Sequence, residues 1–182
     1  ATVTNIVTEL LDQKLLYESR REQSIAGRKA TLLQFNSNLH YALTVSIGRS
    51  PKDEDCAEFT ICNLRGEIIS EKKMYQAFTI SESFSESDML KGLIAALRAF
   101  IAEQSSSTQA ALCAIGICIH GMVNCRQTVD TPILNWKNVN LTIPLQAALH
   151  LPVYVEGVTR VKALYELRFI DCLLYTSPSP RD

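Results

Sequence analysis

The chain has 182 residues, 47% of them hydrophobic and 20% charged, with a formal net charge of −1. That composition supplies a buried core for one or two domains and excludes both a disordered polyelectrolyte and a strongly basic nucleic-acid coat. No apolar run is long enough to cross a bilayer and no leader pattern opens the sequence, so a cytoplasmic protein without a membrane partner is expected.

In chain order, Val3, Ile6, Val7, Leu10 and Leu11 recur at helical spacing and predict a helix over Ala1 to Gln13 with one apolar face. Ala1, Thr2, Asn5, Thr8 and Asp12 fall opposite, short and mostly polar. Leu15 to Glu18 and Ala30 to Phe35 read as two strands around a polar, basic tip that closes on Gly27-Arg28-Lys29. A helix followed directly by such a hairpin predicts the second half of a winged helix-turn-helix.

After Asn36-Ser37-Asn38 come three strand candidates, Tyr41 to Ile47, Glu58 to Leu64 and Glu67 to Tyr75, the last two joined by a turn at Arg65-Gly66. Glu86 to Glu103 places Met89, Leu90, Leu93, Ile94, Leu97, Phe100 and Ile101 on one helical side, and Ser105-Ser106-Ser107 is read as its end. Ala111 to Ile119 is the near-continuous apolar run of a strand covered on both faces. A short helix at Ile143 to Leu149, a strand at Val153 to Val155 and a helix at Thr159 to Ile170 complete the order. Three strands, helix, strand, helix, strand, helix suits the first lobe of an actin-like, ribonuclease-H-like ATPase fold.

Cysteines stand at 56, 62, 113, 118, 125 and 172, with no C-x-x-C pair. Those at 62, 113 and 118 lie in apolar strands, which predicts buried, reduced thiols and no metal site. The last stretch, Leu173 to Asp182, breaks the preceding periodicity with a Ser/Pro string that resembles a translated sequencing adapter. Ala1 is not Met and already lies in a helical pattern. The expected organisation is therefore a fragment: residues 1–36 a partial winged helix-turn-helix, 37–171 an incomplete N-terminal lobe, and 172–182 a non-native tail.

Three ordered stretches resemble the ROK family of repressors and sugar kinases. Thr2-Val3-Thr4-Asn5-Ile6-Val7-x-Glu9-Leu10 with Gly27-Arg28-Lys29 is similar to the recognition helix and wing of its repressors. Ile115-Gly116-Ile117-x-Ile119-x-Gly121-x-Val123-Asn124 resembles the family's I-G-I-x-x-P-G-x-V-D turn, with His120 at the Pro position. Trp136-x-Asn138-Val139-x-Leu141 and Leu151-Pro152-Val153-x-Val155-Glu156 resemble its W-x-N-V-x-L and L-P-V-x-V-E-N-D segments.

The resemblance implies operator DNA as partner, a sugar or sugar-phosphate effector, and a homodimer of the full-length parent. Thr2, Thr4, Asn5, Thr8, Arg28 and Lys29 become the DNA-facing candidates, and Gly121, Thr131, Gly157 and Val158 the effector-facing ones. No cofactor is expected within the chain. The family's structural zinc cluster would lie in a C-terminal part of the parent.

Two departures argue against catalysis. Where family kinases carry D-x-G-G-T to hold ATP phosphate and orient the metal, this sequence has Ser46-Ile47-Gly48-Arg49-Ser50. Where they carry E-N-D, whose Asp takes the proton of the attacking sugar hydroxyl, it has Glu156-Gly157-Val158. Valine accepts no proton. The expected function is a kinase-inactive, sugar-responsive repressor of carbohydrate metabolism. The alternatives are a ROK sugar kinase and a repressor controlled by a protein partner. For His120 both an effector contact and a turn role stand open, His40 and His150 are expected at the surface, and Trp136 is expected to pack.

Overall fold

The computed structural model describes residues 2–19, 32–49, 55–75, 86–132 and 136–169. The first helix, α1 (Thr2–Asp12), stops at a left-handed residue, Lys14, with φ 58°. The amide of Lys14 reaches back to the Leu11 carbonyl, and that of Leu15 to the Leu10 carbonyl at 3.0 Å. This pair of bonds satisfies carbonyls that a helix end otherwise leaves open. Two three-residue strands follow, β1 (Leu16–Glu18) and β2 (Leu33–Phe35), antiparallel, with Tyr17 Oη donating to Gln34 Oε1 across the pair. The Asn36 side chain ties the far end of this hairpin to the Lys14 carbonyl. The basic tip with Arg28 and Lys29 lies outside the described residues, as does the predicted tail.

The main sheet has five strands in the order β5-β4-β3-β6-β10. Its antiparallel half is the meander β3 (Tyr41–Arg49), β4 (Asp55–Asn63) and β5 (Ile68–Tyr75). Its parallel half adds β6 (Leu112–Ile119) beside β3 and β10 (Val153–Gly157) beside β6. Strand alternation sorts side chains cleanly between the two faces. One cross-strand row runs Phe59, Val45, Ile117, Val155, and the next Ile61, Leu43, Ile115, Val153, all buried.

Helix α2 (Glu86–Ala102) lays Met89, Leu93, Leu97 and Phe100 on these rows, with the Phe59 and Phe100 rings stacked at 5.7 Å. Helix α4 (Thr142–Leu149) adds Leu145 to the same core, and Asn140 Oδ1 accepts the Ile143 amide at its start. The other face carries the row Lys73, Glu58, Ser46, Cys118, Glu156, small or polar throughout. Helix α5 (Val158–Phe169) runs back over β6 and β10 on that side, bringing Lys162 close enough to Cys118 to act on its thiol.

The expected succession of strands and helices is present, with two additions. Ser105 does not simply end α2: its hydroxyl caps a further helix, α3 (Ser106–Ala111), by accepting the Thr108 amide at 3.2 Å. A second, three-stranded sheet intervenes between β6 and α4, formed by β7 (Met122–Val123), β8 (Thr128–Thr131) and β9 (Trp136–Asn140). The thiols depart from expectation as well: Cys62 and Cys118 are only half-buried, and Cys113, on a β-bulge opposite Tyr41, is exposed. His40 and His150 are exposed, and the half-buried Trp136 packs against the core.

Candidate functional site

Parallel strands place their carboxyl ends side by side, and in such sheets ligands bind in the crevice beyond those ends. Here β6 and β10 finish together at Ile119 and Gly157, in register with Ile47 of β3, which continues to Arg49. Three glycines line that edge because three backbones converge on it. A Cβ on Gly121 would stand 2.6 Å from the Asp130 carbonyl oxygen and 2.8 Å from Thr131 Cβ, so β8 closes directly onto the turn after β6. A Cβ on Gly157 would come within 3.1 Å of the Gly121 carbonyl oxygen, which sets the end of β10 against the same turn. A Cβ on Gly48 would meet the His120 ring at 2.8 Å.

Gly121, Thr131 and Gly157 are thus brought together, and Val158 opens α5 immediately beyond them. Thr131 is 1% exposed, and its hydroxyl donates to the His120 carbonyl at 2.7 Å. It latches the turn from below. Behind it, Asn124 Nδ2 donates to Thr128 Oγ1, which in turn donates to Asn138 Oδ1 at 2.7 Å. The Asn138 amide donates to Asp130 Oδ1, at a residue with φ 56° that asparagine tolerates better than most. Thr128 and Asp130 carried no signal in the sequence, and Asn124 was visible only as the last letter of G-x-V-N. Asn138 was visible only as the third letter of W-x-N-V, and its left-handed backbone is the reason an Asn suits that place.

Ser46 is exposed on the open face of β3, between Glu58 and Cys118. Position 158 is an aliphatic side chain. The neighbouring Glu156 is committed twice, its Oε1 accepting the Gly157 amide at 3.0 Å and its Oε2 facing Arg160 at 3.3 Å. Beside it, burial pushes the Cys118 thiol up, opposed by Lys162 and assisted by Glu156. No group of three or more potential metal ligands occurs among the described residues.

The second candidate surface is α1. Thr2, Thr4, Asn5 and Thr8 are all exposed there, with Thr8 Oγ1 donating back to the Thr4 carbonyl at 3.0 Å. The apolar face is open too, Val3 at 75% and Ile6 at 51% exposure. Val7, Leu10 and Leu11, further along the same face, are half-buried.

This is a mixed α/β chain whose central parallel strands lead into a glycine-lined turn, the place where ligands of such sheets bind. Residues 53–169 match the ROK family profile, and the chain belongs to the ROK family. It is 27% identical over 170 residues to the xylose repressor of Bacillus subtilis strain 168, covering 93% of this chain and 41% of that protein. It is 29% identical over 184 residues to a putative xylose repressor of Caldicellulosiruptor sp. strain Rt8B.4, covering 97% and 44%. Among solved structures, a ROK family transcriptional regulator described as a homologue of the E. coli MLC protein superposes with TM-score 0.71 at 28% identity, over 92% of this chain and 40% of that one. A ROK family glucokinase from Streptomyces griseus, solved with glucose and AMPPNP, superposes with TM-score 0.52 at 23% identity, over 71% and 36%. The chain spans about two fifths of the length of these curated relatives. No helix among the described residues is long and apolar enough to cross a membrane.

Proposed function

We propose that this protein is a sugar-responsive, DNA-binding transcription repressor of carbohydrate metabolism that does not phosphorylate its sugar. The observation that carries this reading is the reach of the two structural likenesses. The regulator matches 92% of the chain and the glucokinase 71%. The difference is about the size of the α1–β1–β2 module that precedes the main sheet. In this reading the module is the end of a winged helix-turn-helix, and residues 37–171 are the first lobe of a two-lobed effector domain. Thr2, Thr4, Asn5 and Thr8 face the major groove, while Arg28 and Lys29 contribute charge at the wing. Homodimerisation of the complete gene product would set two such helices on a near-palindromic operator.

At the other end, Gly121, Thr131, Gly157 and Val158 shape the effector pocket. The pentose named for the relatives, D-xylose, is the first candidate effector. Ser at 46 does not orient a metal as an Asp would, nor does Val at 158 accept the hydroxyl proton, so in this reading a bound sugar is sensed and released unchanged. The test is fluorescence anisotropy of the complete gene product on DNA from upstream of its own gene, with and without D-xylose. Specific binding relieved by the sugar is expected. ATP-dependent phosphorylation of the sugar would overturn the non-enzymatic part. Operator binding insensitive to sugars but sensitive to a protein would favour control by a partner.

A further inference from the structure

Resting on that reading, we propose that His120 hydrogen-bonds a hydroxyl group of the sugar effector, and that Gly48 gives its ring the seat from which it does so.

The backbone at His120 is held from two sides. Its carbonyl accepts the Thr131 hydroxyl at 2.7 Å, and its amide points to the Ile47 carbonyl at 3.4 Å. The side chain therefore has little freedom beyond its own torsions. Its ring lies against the bare Cα of Gly48, so close that a Cβ there would stand 2.8 Å from Cδ2 and 3.4 Å from Nε2. The rest of the residue is exposed, and among the described residues neither ring nitrogen has a hydrogen-bond partner.

The turn around it offers a ligand little else. Gly121 and Gly157 have no side chain, Val158 is aliphatic, the Thr131 hydroxyl is spent on the turn, and both Glu156 oxygens are engaged. The three glycines are taken up by packing of the turn itself, so the exposed His120 ring is the polar side chain presented at the carboxyl ends of the parallel strands, where a ligand is expected. A neutral imidazole donates from one nitrogen and accepts at the other, as a sugar hydroxyl also does both. Small ligands are oriented by a few such placed polar groups in an otherwise apolar pocket.

The experiment is calorimetric titration of the complete gene product with D-xylose and, separately, D-glucose. The sugar that binds is then titrated into His120→Ala, His120→Asn and Gly48→Ala. His120→Ala is expected to weaken binding about tenfold, the usual consequence of one lost hydrogen bond in a site. Gly48→Ala should weaken it comparably although His120 is intact, because the new methyl displaces the ring. His120→Asn should recover part of the loss. Deoxy analogues of the same sugar supply a readout that a merely structural role would not move: one deoxygenation should penalise the wild type and leave His120→Ala unaffected. Binding by His120→Ala within twofold of wild type, or equal sensitivity of both proteins to every deoxygenation, overturns the inference while the repressor reading stands. Failure of the wild type to bind either sugar at millimolar concentration overturns the inference together with sugar sensing, and operator binding then reports on the remainder.

Discussion

Asn63 and Asn124 build the same turn twice, and the chain solves its one difficult position differently each time. In both, the Asn side-chain oxygen accepts amides two and four residues on, and the third residue after it has positive φ. That residue is Gly66 with φ 81° in one turn and Gln127 with φ 61° in the other. A side chain in the left-handed region costs about 1–2 kcal/mol, partly offset by the extra freedom glycine gives the unfolded chain. Gln127→Gly is therefore expected to stabilise by about 0.5–1 kcal/mol and Gly66→Ala to destabilise by about 1 kcal/mol, both read from urea unfolding. A larger loss, about 1–3 kcal/mol or more, is expected for Gly121→Ala, since the new Cβ meets backbone that has nowhere to go. Arg65-Gly66 was legible as a turn because glycine advertises positive φ. Asn124-Cys125-Arg126-Gln127 was not, because glutamine does not. Gly121, Gly157 and Val158 were found by likeness to a motif. What makes the glycines necessary, the approach of Asp130 and of one turn to the other, is a tertiary fact that no local pattern encodes.

Helix α2 was legible from its periodicity, as long amphipathic segments are. Its Leu97 is fully buried against the sheet, and Leu97→Ala should cost about 2–5 kcal/mol in the same unfolding measurement. Short elements escaped notice. Helix α3 is six residues of mostly small and polar side chains, and β7 is two residues long. Such pieces persist through caps and neighbouring strands, so a window along the sequence holds too little signal. The α1–hairpin module makes a separate prediction. If Asn5 reads a base edge, Asn5→Ala should change which operator sequence the complete gene product prefers. Replacing Arg28 and Lys29 together should instead weaken all sequences alike and reduce the salt slope of binding by about 2. Selection of operator variants and anisotropy at several salt concentrations measure the two.

The five-stranded sheet is apolar on one side and small or polar on the other, and Cys62 and Cys118 lie half-buried on the second side. Burial raises the pKa of Cys62, with Cys113 adding to the effect, and burial likewise raises that of Cys118. Cys113 and Cys125 are exposed. Iodoacetamide at mildly alkaline pH should therefore label Cys113 and Cys125 before Cys62 and Cys118, as followed by peptide mass spectrometry. The raised values also set a direction: in alkaline solution the unfolded chain gives up protons that the folded chain keeps, so stability falls as pH climbs through and above the ordinary thiol range.

The strand order carries a consequence for synthesis. The meander β3-β4-β5 pairs neighbours in sequence, whereas the junction of β3 with β6 joins partners as distant as Tyr41 and Cys113, 72 residues apart. Local pairings form early and distant ones late, and a chain leaving the ribosome meets them in that order. The nascent protein should thus hold a hairpin sheet with a bare inner edge until β6 emerges. The contact of Gly157 with the turn at Gly121 exists only after β10 has docked, so the glycine-lined edge of the sheet is among the last parts to be made.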